Sequence, residues 1–201
     1  MTTAETTPLL AQSAKAADSH RPRFLCDRHL NFVTPPLQRL LTVWDAKREG
    51  HPFPNRSAFS LRDLSFILPN LAFVDIVHDG PRLRFMVRLM GAQLDSYVGP
   101  MTGKHIDEAL PPRIAAKWAT IWQGAVETEK AQRSIGQVEI EGKEFYVFEK
   151  FCAPLGPNGA PPTMLMVATF YHSLEDKKYG APGEISARLI NELDGTAIPS
   201  K

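Results

Sequence analysis

The sequence predicts an α+β domain built around an antiparallel sheet, and three observations carry that expectation. Two adjacent apolar runs, 71–77 and 82–89, flank the turn His78-Asp79-Gly80-Pro81 and read as a β-hairpin. A stretch with helical spacing follows, in which Ile114, Trp118, Ile121, Trp122, Ala125 and Val126 form one stripe over 113–132. Three more strand-like runs close the unit, at 135–140, 144–153 and 163–171. The order is two strands, helices, three strands, and the helical middle supplies a cover for the sheet.

Taken along the chain, residues 1–23 are rich in Thr, Ala, Ser and Gln and have almost no aromatic residues. Such a segment buries too little surface to offset its ordering entropy, so a disordered leader is expected, reaching to residue 33. At Thr34 a capping residue is followed by Pro35 and Pro36, and Leu37, Leu40, Leu41 and Trp44 recur at helical spacing. This helix should end near Gly50, because His51-Pro52-Phe53-Pro54 forbids its continuation. A short amphipathic turn with Leu61, Leu64, Phe66 and Ile67 leads to Pro69.

In the hairpin's second strand Leu83, Phe85, Val87 and Leu89 share one face, and Arg82, Arg84, Met86 and Arg88 share the other. Gly91, Gly99 and Gly103 punctuate the passage into the helical layer, where they are expected to serve turn geometry. The strand at 163–171 is apolar on both faces, Met164, Met166, Ala168 and Phe170 against Leu165, Val167 and Tyr171. A central strand covered on both sides has this pattern, and the first helix can be the second cover. Beyond a break at 177–183, Ile185, Leu189, Ile190 and Leu193 predict a short amphipathic helix in a C-terminal tail, 174–201.

Composition narrows the functions. With 23 Lys+Arg against 22 Asp+Glu the chain projects no strong field, so neither nucleic acid nor a membrane surface is an expected partner. No stretch approaches the roughly 20 apolar residues that span a bilayer, so membrane insertion is not expected. Leu9-Leu10-Ala11 is too short for a signal peptide, and Cys26 and Cys152 show no CxxC spacing, which suits reduced thiols in the cytoplasm. Cys152 reads as a small buried hydrophobe.

The local words are informative. "LLTVWDAKREGHPFPNRS", "LSFILPNLAFVDI" and "RLRFMVRLMGAQLDSYVGPMTGKHIDE", with the Arg88-x-x-Gly91-x-x-Leu94 step and the Gly99 to Gly103 spacing, resemble the small stand-alone PAS proteins common in alphaproteobacteria. The resemblance runs from about Thr34 to Tyr171 and implies a domain over 34–173. It implies a PAS-like fold: a five-stranded antiparallel sheet with helices across one face and the N-terminal helix on the other. It also implies a sensory or regulatory module in signal transduction, acting through small-molecule binding or protein contact. A homodimer through Leu37, Leu40, Leu41 and Trp44 is expected on the same ground, as is a signalling protein partner. Too little chain remains outside this unit for an output domain, so the signal is expected to leave through another chain.

Candidate ligand-binding residues are Trp118 and Trp122 on the helix, Tyr97 before it, and Phe148 and Met166 on the facing strands, with Arg88 or His105 as a polar hook. A small organic ligand fits such a pocket, and Arg82, Arg84 and Arg88 suit an anionic one. The alternative is a filled core in a ligand-free adaptor or dimerisation protein. Flavin photochemistry is not expected, since 90–131 holds no Cys, and haem is not expected either, since its sole candidate ligand is His105, an isolated His beside a turn. The histidines at 20, 29, 51, 78, 105 and 172 show no metal-ligand spacing. GxSxG, GxxxxGK[ST] and HExxH are absent, and the loop 156–162 lacks a Lys, so no enzymatic activity is expected. The carboxylates Asp75, Asp95, Asp107, Glu108, Glu139 and Glu149 read as members of solvated faces.

Overall fold

The computed structural model describes residues 24–27, 29–139, 142–174 and 183–195. Among them the elements are β1 (Phe24–Asp27), α1 (Pro35–Ala46), α2 (Leu61–Leu64), β2 (Leu71–Asp79), β3 (Arg82–Met90), α3 (Ala92–Val98), α4 (Ile106–Ala109), α5 (Pro112–Thr128), β4 (Gln132–Gln137), β5 (Tyr146–Leu155), β6 (Met164–Ser173) and α6 (Glu184–Leu193). The strands form a six-stranded sheet in the order β1-β4-β5-β6-β2-β3, antiparallel at every pairing. The architecture is α+β, as the sequence predicts, with one strand more than the expected five.

The extra strand is β1, inside the stretch expected to be a disordered leader. Its four residues pair with β4 from Phe24↔Gly136 to Asp27↔Arg133. Phe32 and Val33, also in that stretch, are buried. A four-residue strand carries no usable period, and an exposed edge partner gives it its order. Residues 1–23 lie outside the described residues, as do 175–182, where most of the break at 177–183 was expected, and Ile140 and Glu141.

The sheet is covered on both faces. On one, α1, α2 and the loops around them bring Leu37, Leu40, Trp44, Phe59 and Leu64 onto Phe73, Phe151, Ala153, Met166 and Ala168. On the other, α3, α4 and α5 bring Leu94, Ile106, Ile121, Trp122 and Ala125 onto Val74, Phe85, Val87, Cys152, Leu165 and Val167. Period-two alternation in β2, β5 and β6 feeds both cores, which is why these strands read as nearly continuous apolar runs. The C-terminal helix exists as predicted, and Leu189 and Leu193 seal a third cluster with Val33, Ile135 and Val147.

α1 corrects the expected dimer interface. Leu37, Leu40 and Trp44 are all but inaccessible, and the Trp44 indole Nε1 donates to the Pro154 carbonyl at 3.1 Å. These side chains are spent on the chain's own sheet, and only Leu41 of the expected set is half-buried. Thr34 precedes the helix as expected, but its side chain does not cap it; the Thr34 hydroxyl lies 3.0 Å from His172 Nε2 instead.

Two boundaries differ from the predicted ones for local reasons. α5 stops at Thr128 because Glu129 takes a left-handed conformation, φ 54°, which frees Gln132 to begin β4. In β3 the register shifts so that Phe73 pairs with Leu89 but Val74 with Val87, which leaves Arg88 as an extra residue. The bulge turns Leu89 away from the face shared by Phe85 and Val87, and it is 49% exposed.

The three glycines play different parts. Gly99 and Gly103 both have φ of +81°, the left-handed region that turns require of glycine. Gly91 has an ordinary φ of −74° and is needed for close approach: a Cβ there would meet the backbone carbonyl oxygen of Leu68 and lie 2.5 Å from that of Pro69. Gly91→Ala is therefore expected to cost about 1–3 kcal/mol, since backbone must move to admit the methyl group. Urea unfolding reads the loss, and a variant as stable as the parent contradicts it.

Candidate functional site

The face of the sheet under α5 holds an arrangement that packing alone does not call for. Across the centre of the sheet, Ser134 of β4 pairs with Lys150 of β5, which pairs with Thr169 of β6. Directly paired residues point to the same side. Phe148, Lys150 and Cys152 alternate with Glu149 and Phe151, so the polar row faces α5 together with Phe148 and Cys152. All three are buried, Ser134 1% exposed, Lys150 2% and Thr169 3%.

Lys150 is the group at the centre. Its Nζ sits 3.9 Å from the centroid of the Trp118 ring and 5.4 Å from that of Phe148. No carboxylate pairs with it among the described residues; Glu139, the acidic side chain near this region, is held by Lys117 at 3.1 Å and Arg113 at 3.6 Å. Burial disfavours the ammonium and lowers the Lys150 pKa to about 7, with the positive charge of Lys117 acting in the same direction. Ring faces attract an ammonium but do not replace its lost hydration. Next to it in the row, the Ser134 hydroxyl is buried without a hydrogen bond.

Two small cavities flank this row. One, of about 40 Å³, is lined by Phe24, Trp118, Phe148, Lys150 and Tyr171, and also by Lys117, Gln137 and Glu139. The other, of about 20 Å³, is lined by Trp118, Trp122, Lys150, Val167, Thr169 and Tyr171. Trp118, Lys150 and Tyr171 are common to both, so the half-buried Trp118 indole and the lysine stem stand between them. Each has room for one or a few waters. Neither holds the volume of a tetrapyrrole or a flavin.

Around the cavities the titratable groups are quiet. Burial pushes the Cys152 thiol up to about 12, partly opposed by Lys150, so it stays protonated at neutral pH. Burial likewise pushes the Tyr171 hydroxyl well above the ordinary tyrosine range, and its ring stacks on Tyr97 at 4.1 Å.

The structure brings together part of the set expected from sequence. Trp118, Trp122 and Phe148 line the cavities, and Tyr97 lies one ring away, stacked on Tyr171. Met166 does not: the alternation of β6 puts it on the opposite face, in the core under α1. Arg88 does not either; the bulge leaves it 62% exposed with its Nε 2.8 Å from Asp75 Oδ1. Nor does His105, which precedes α4 and bridges to Met86 on the edge strand. Of the other arginines, Arg84 grips Asp107 and Glu108. Sequence reasoning missed Lys150, Ser134, Thr169 and Tyr171. A lysine alternating with Phe148 and Cys152 in an apolar strand was the available signal.

The opposite face carries a second buried polar group. Arg133 and Glu149, both inaccessible, meet at 2.5 Å, and Arg133 Nη1 also reaches Asp27 at 3.0 Å and Glu192 at 2.6 Å. Glu149 accepts the backbone N–H groups of Val33 and Thr34 at 2.9 and 2.7 Å, at the start of α1. Glu149 and the nearly buried Asp75 thus depart from the solvated faces expected for them. Burial holds His172, beside Thr34, below the ordinary histidine range. This network joins β1, β4, β5, α1 and α6 and has the character of a structural tie, although Arg133 Nη2 is buried without a hydrogen bond.

Among the described residues no group of three or more His, Cys, Asp or Glu side chains is placed to hold a metal ion, and no helix is long and apolar enough to cross a membrane. No family model matches the chain, and no curated protein matches it.

Proposed function

We propose that the protein is a PAS-like sensory or regulatory module that binds a small organic molecule between its sheet and α5, and passes its occupancy to a partner protein. The observation that carries the reading is the buried, unpaired Lys150 amine set beside two cavities under an aromatic ceiling. A protein interior normally leaves no such group uncompensated. The order of two strands, helices and three strands, with the helical layer across one face and α1 on the other, supports the PAS-like part. The function proposed is cytoplasmic, non-enzymatic signalling. Its partner is a second copy of this chain or another signalling protein, met through surfaces other than the buried stripe of α1.

One observation favours a second reading, a ligand-free adaptor: the cavities are small, and their walls otherwise interlock as a packed core does. Native mass spectrometry of the freshly purified protein, with two-dimensional amide NMR during addition of indole, benzamide and benzoate, separates the two. The sensor reading expects a retained compound or shifts confined to Trp118, Lys150, Tyr171 and their neighbours. A clean mass with an unchanged spectrum for all three compounds assigns the protein to the adaptor class.

A further inference from the structure

We propose that Lys150 and Thr169, with Ser134 behind them in the same row, form the head-group site for a small monocarboxylate whose apolar body lies against Trp118 and Phe148. The proposal rests on the cavity being a ligand site, and it names the ligand's chemistry.

The row runs straight across three central strands, Ser134↔Lys150↔Thr169. Paired side chains on one face stand about 4.5–5.5 Å apart at Cβ. Lys150 lines both cavities and Thr169 the smaller one, so an ammonium and a hydroxyl present donors to an acceptor under α5, while Ser134 lines neither cavity. The Ser134 hydroxyl makes no hydrogen bond of its own, and Lys150 makes no ion pair with a carboxylate among the described residues. A carboxylate supplies what Lys150 lacks, negative charge opposite the ammonium, with a second oxygen to accept from the Thr169 hydroxyl.

Charge sets the head group at one negative unit. From α5, Lys117 and Arg113 face this region, but both are engaged by Glu139 just beyond β4. From β5, β6 and α3 come Cys152, Tyr171 and Tyr97, the thiol and hydroxyls protonated at neutral pH. Cys26 lies on β1, opposite Ser134. The cavity lining thus holds two cations, Lys117 and Lys150, against one carboxylate, Glu139, and a net single positive charge suits a monocarboxylate better than a phosphate dianion in a buried site. Shape sets the body. Apart from Lys117, Gln137 and Glu139, the remaining lining is apolar, with Phe24, Ile114, Ile121 and Val138 beside the rings named above. The two cavities share Trp118 and each takes only one or a few waters as it stands, so a short aliphatic or single-ring body is admitted by that half-buried indole swinging aside.

The test uses butyrate and benzoate against their uncharged isosteres butyramide and benzamide, followed by amide NMR and tryptophan fluorescence. The carboxylates are expected to bind at least tenfold more tightly than the amides at pH 6, and to lose at least tenfold in affinity by pH 9, as the lysine sheds its proton. Lys150→Met, checked for native circular dichroism, should lose the carboxylate preference while still taking benzamide. Thr169→Val should weaken benzoate several-fold and leave benzamide unchanged. Amides that bind as tightly as carboxylates, or a Lys150→Met protein that keeps the preference, overturn the proposal and leave the cavity reading standing. If none of the four compounds binds, both are wrong.

Discussion

Arg133→Met costs the fold about 3–5 kcal/mol, the expected penalty for removing one partner of a buried ion pair. The wild-type guanidinium is inaccessible to solvent and satisfies three carboxylates from three separate elements, Asp27 of β1, Glu149 of β5 and Glu192 of α6. Methionine fills much of the same volume, so the loss comes from charge and not from a cavity. Asp27 and Glu192 keep side-chain exposures of 16% and 27% and can be rehydrated, but Glu149 has none. Its remaining partners are the N–H groups of Val33 and Thr34, which solvate an anion in part but do not neutralise it. Urea denaturation reads the loss in midpoint, and hydrogen exchange should show 24–34 and 184–193 opening first, because the network holds both ends of the described chain. Adding Glu149→Gln to Arg133→Met should recover part of the stability, with a coupling of about 1–3 kcal/mol. A loss below about 1 kcal/mol for the single variant contradicts the account.

That network also shows why the sequence discloses some features and hides others. The period-two runs of β2 and β3 and the stripe of α5 are local patterns, visible in any window of a dozen residues, and they lead directly to the hairpin and the long helix. Glu149 and Arg133 lie 16 positions apart, and their burial follows from strands meeting on the face under α1 and α6, which no window contains. Read locally, a carboxylate belongs to a solvated face; read in register, Glu149 is the anion at the start of α1.

The site was half visible for a related reason. Alternation sorts each strand into two sets but does not say which set faces which helix layer when both faces are apolar. Met166 was assigned to the wrong layer on that account, whereas Trp118 and Trp122, on a helix with one buried stripe, were assigned correctly. Arg88 obeys the alternation: 82–89 sets it opposite Phe85 and Val87, the pair that faces α5, and the bulge at this position leaves it at the surface. Lys150 was overlooked although its strand neighbours Phe148 and Cys152 mark it as inward. Charge in an apolar strand is the exception that patterning treats as noise, and it is where buried chemistry stands out.

Lys150→Met is expected to raise stability, which sets it apart from nearly every other core substitution. The amine titrates at about 7 in the fold against 10.5 in its ordinary state, because burial penalises the ammonium. Below pH 7 the folded protein must carry a poorly solvated charge, and the full penalty applies. Between pH 7 and 10.5 the unfolded chain binds a proton that the folded one does not, so folding stability climbs with pH across that window. Above 10.5 both states are neutral and the penalty is gone. A shift of that size corresponds to at most roughly 5 kcal/mol at low pH, and relaxation of the buried charge reduces it to about 2–4. Methionine keeps the stem's packing against Trp118 and removes the amine, so the variant should exceed the wild type by about 2–4 kcal/mol at pH 6, with the gap closing toward pH 10. Urea unfolding at pH 6, 8 and 10 measures this gap directly. A variant that is weaker at pH 6, or a gap that does not change with pH, shows that the amine has found solvation in the fold. A confirmed gap means that the sequence retains a residue that weakens its own core at neutral pH. Stability gives no reason to keep such a group, whereas holding an anion does.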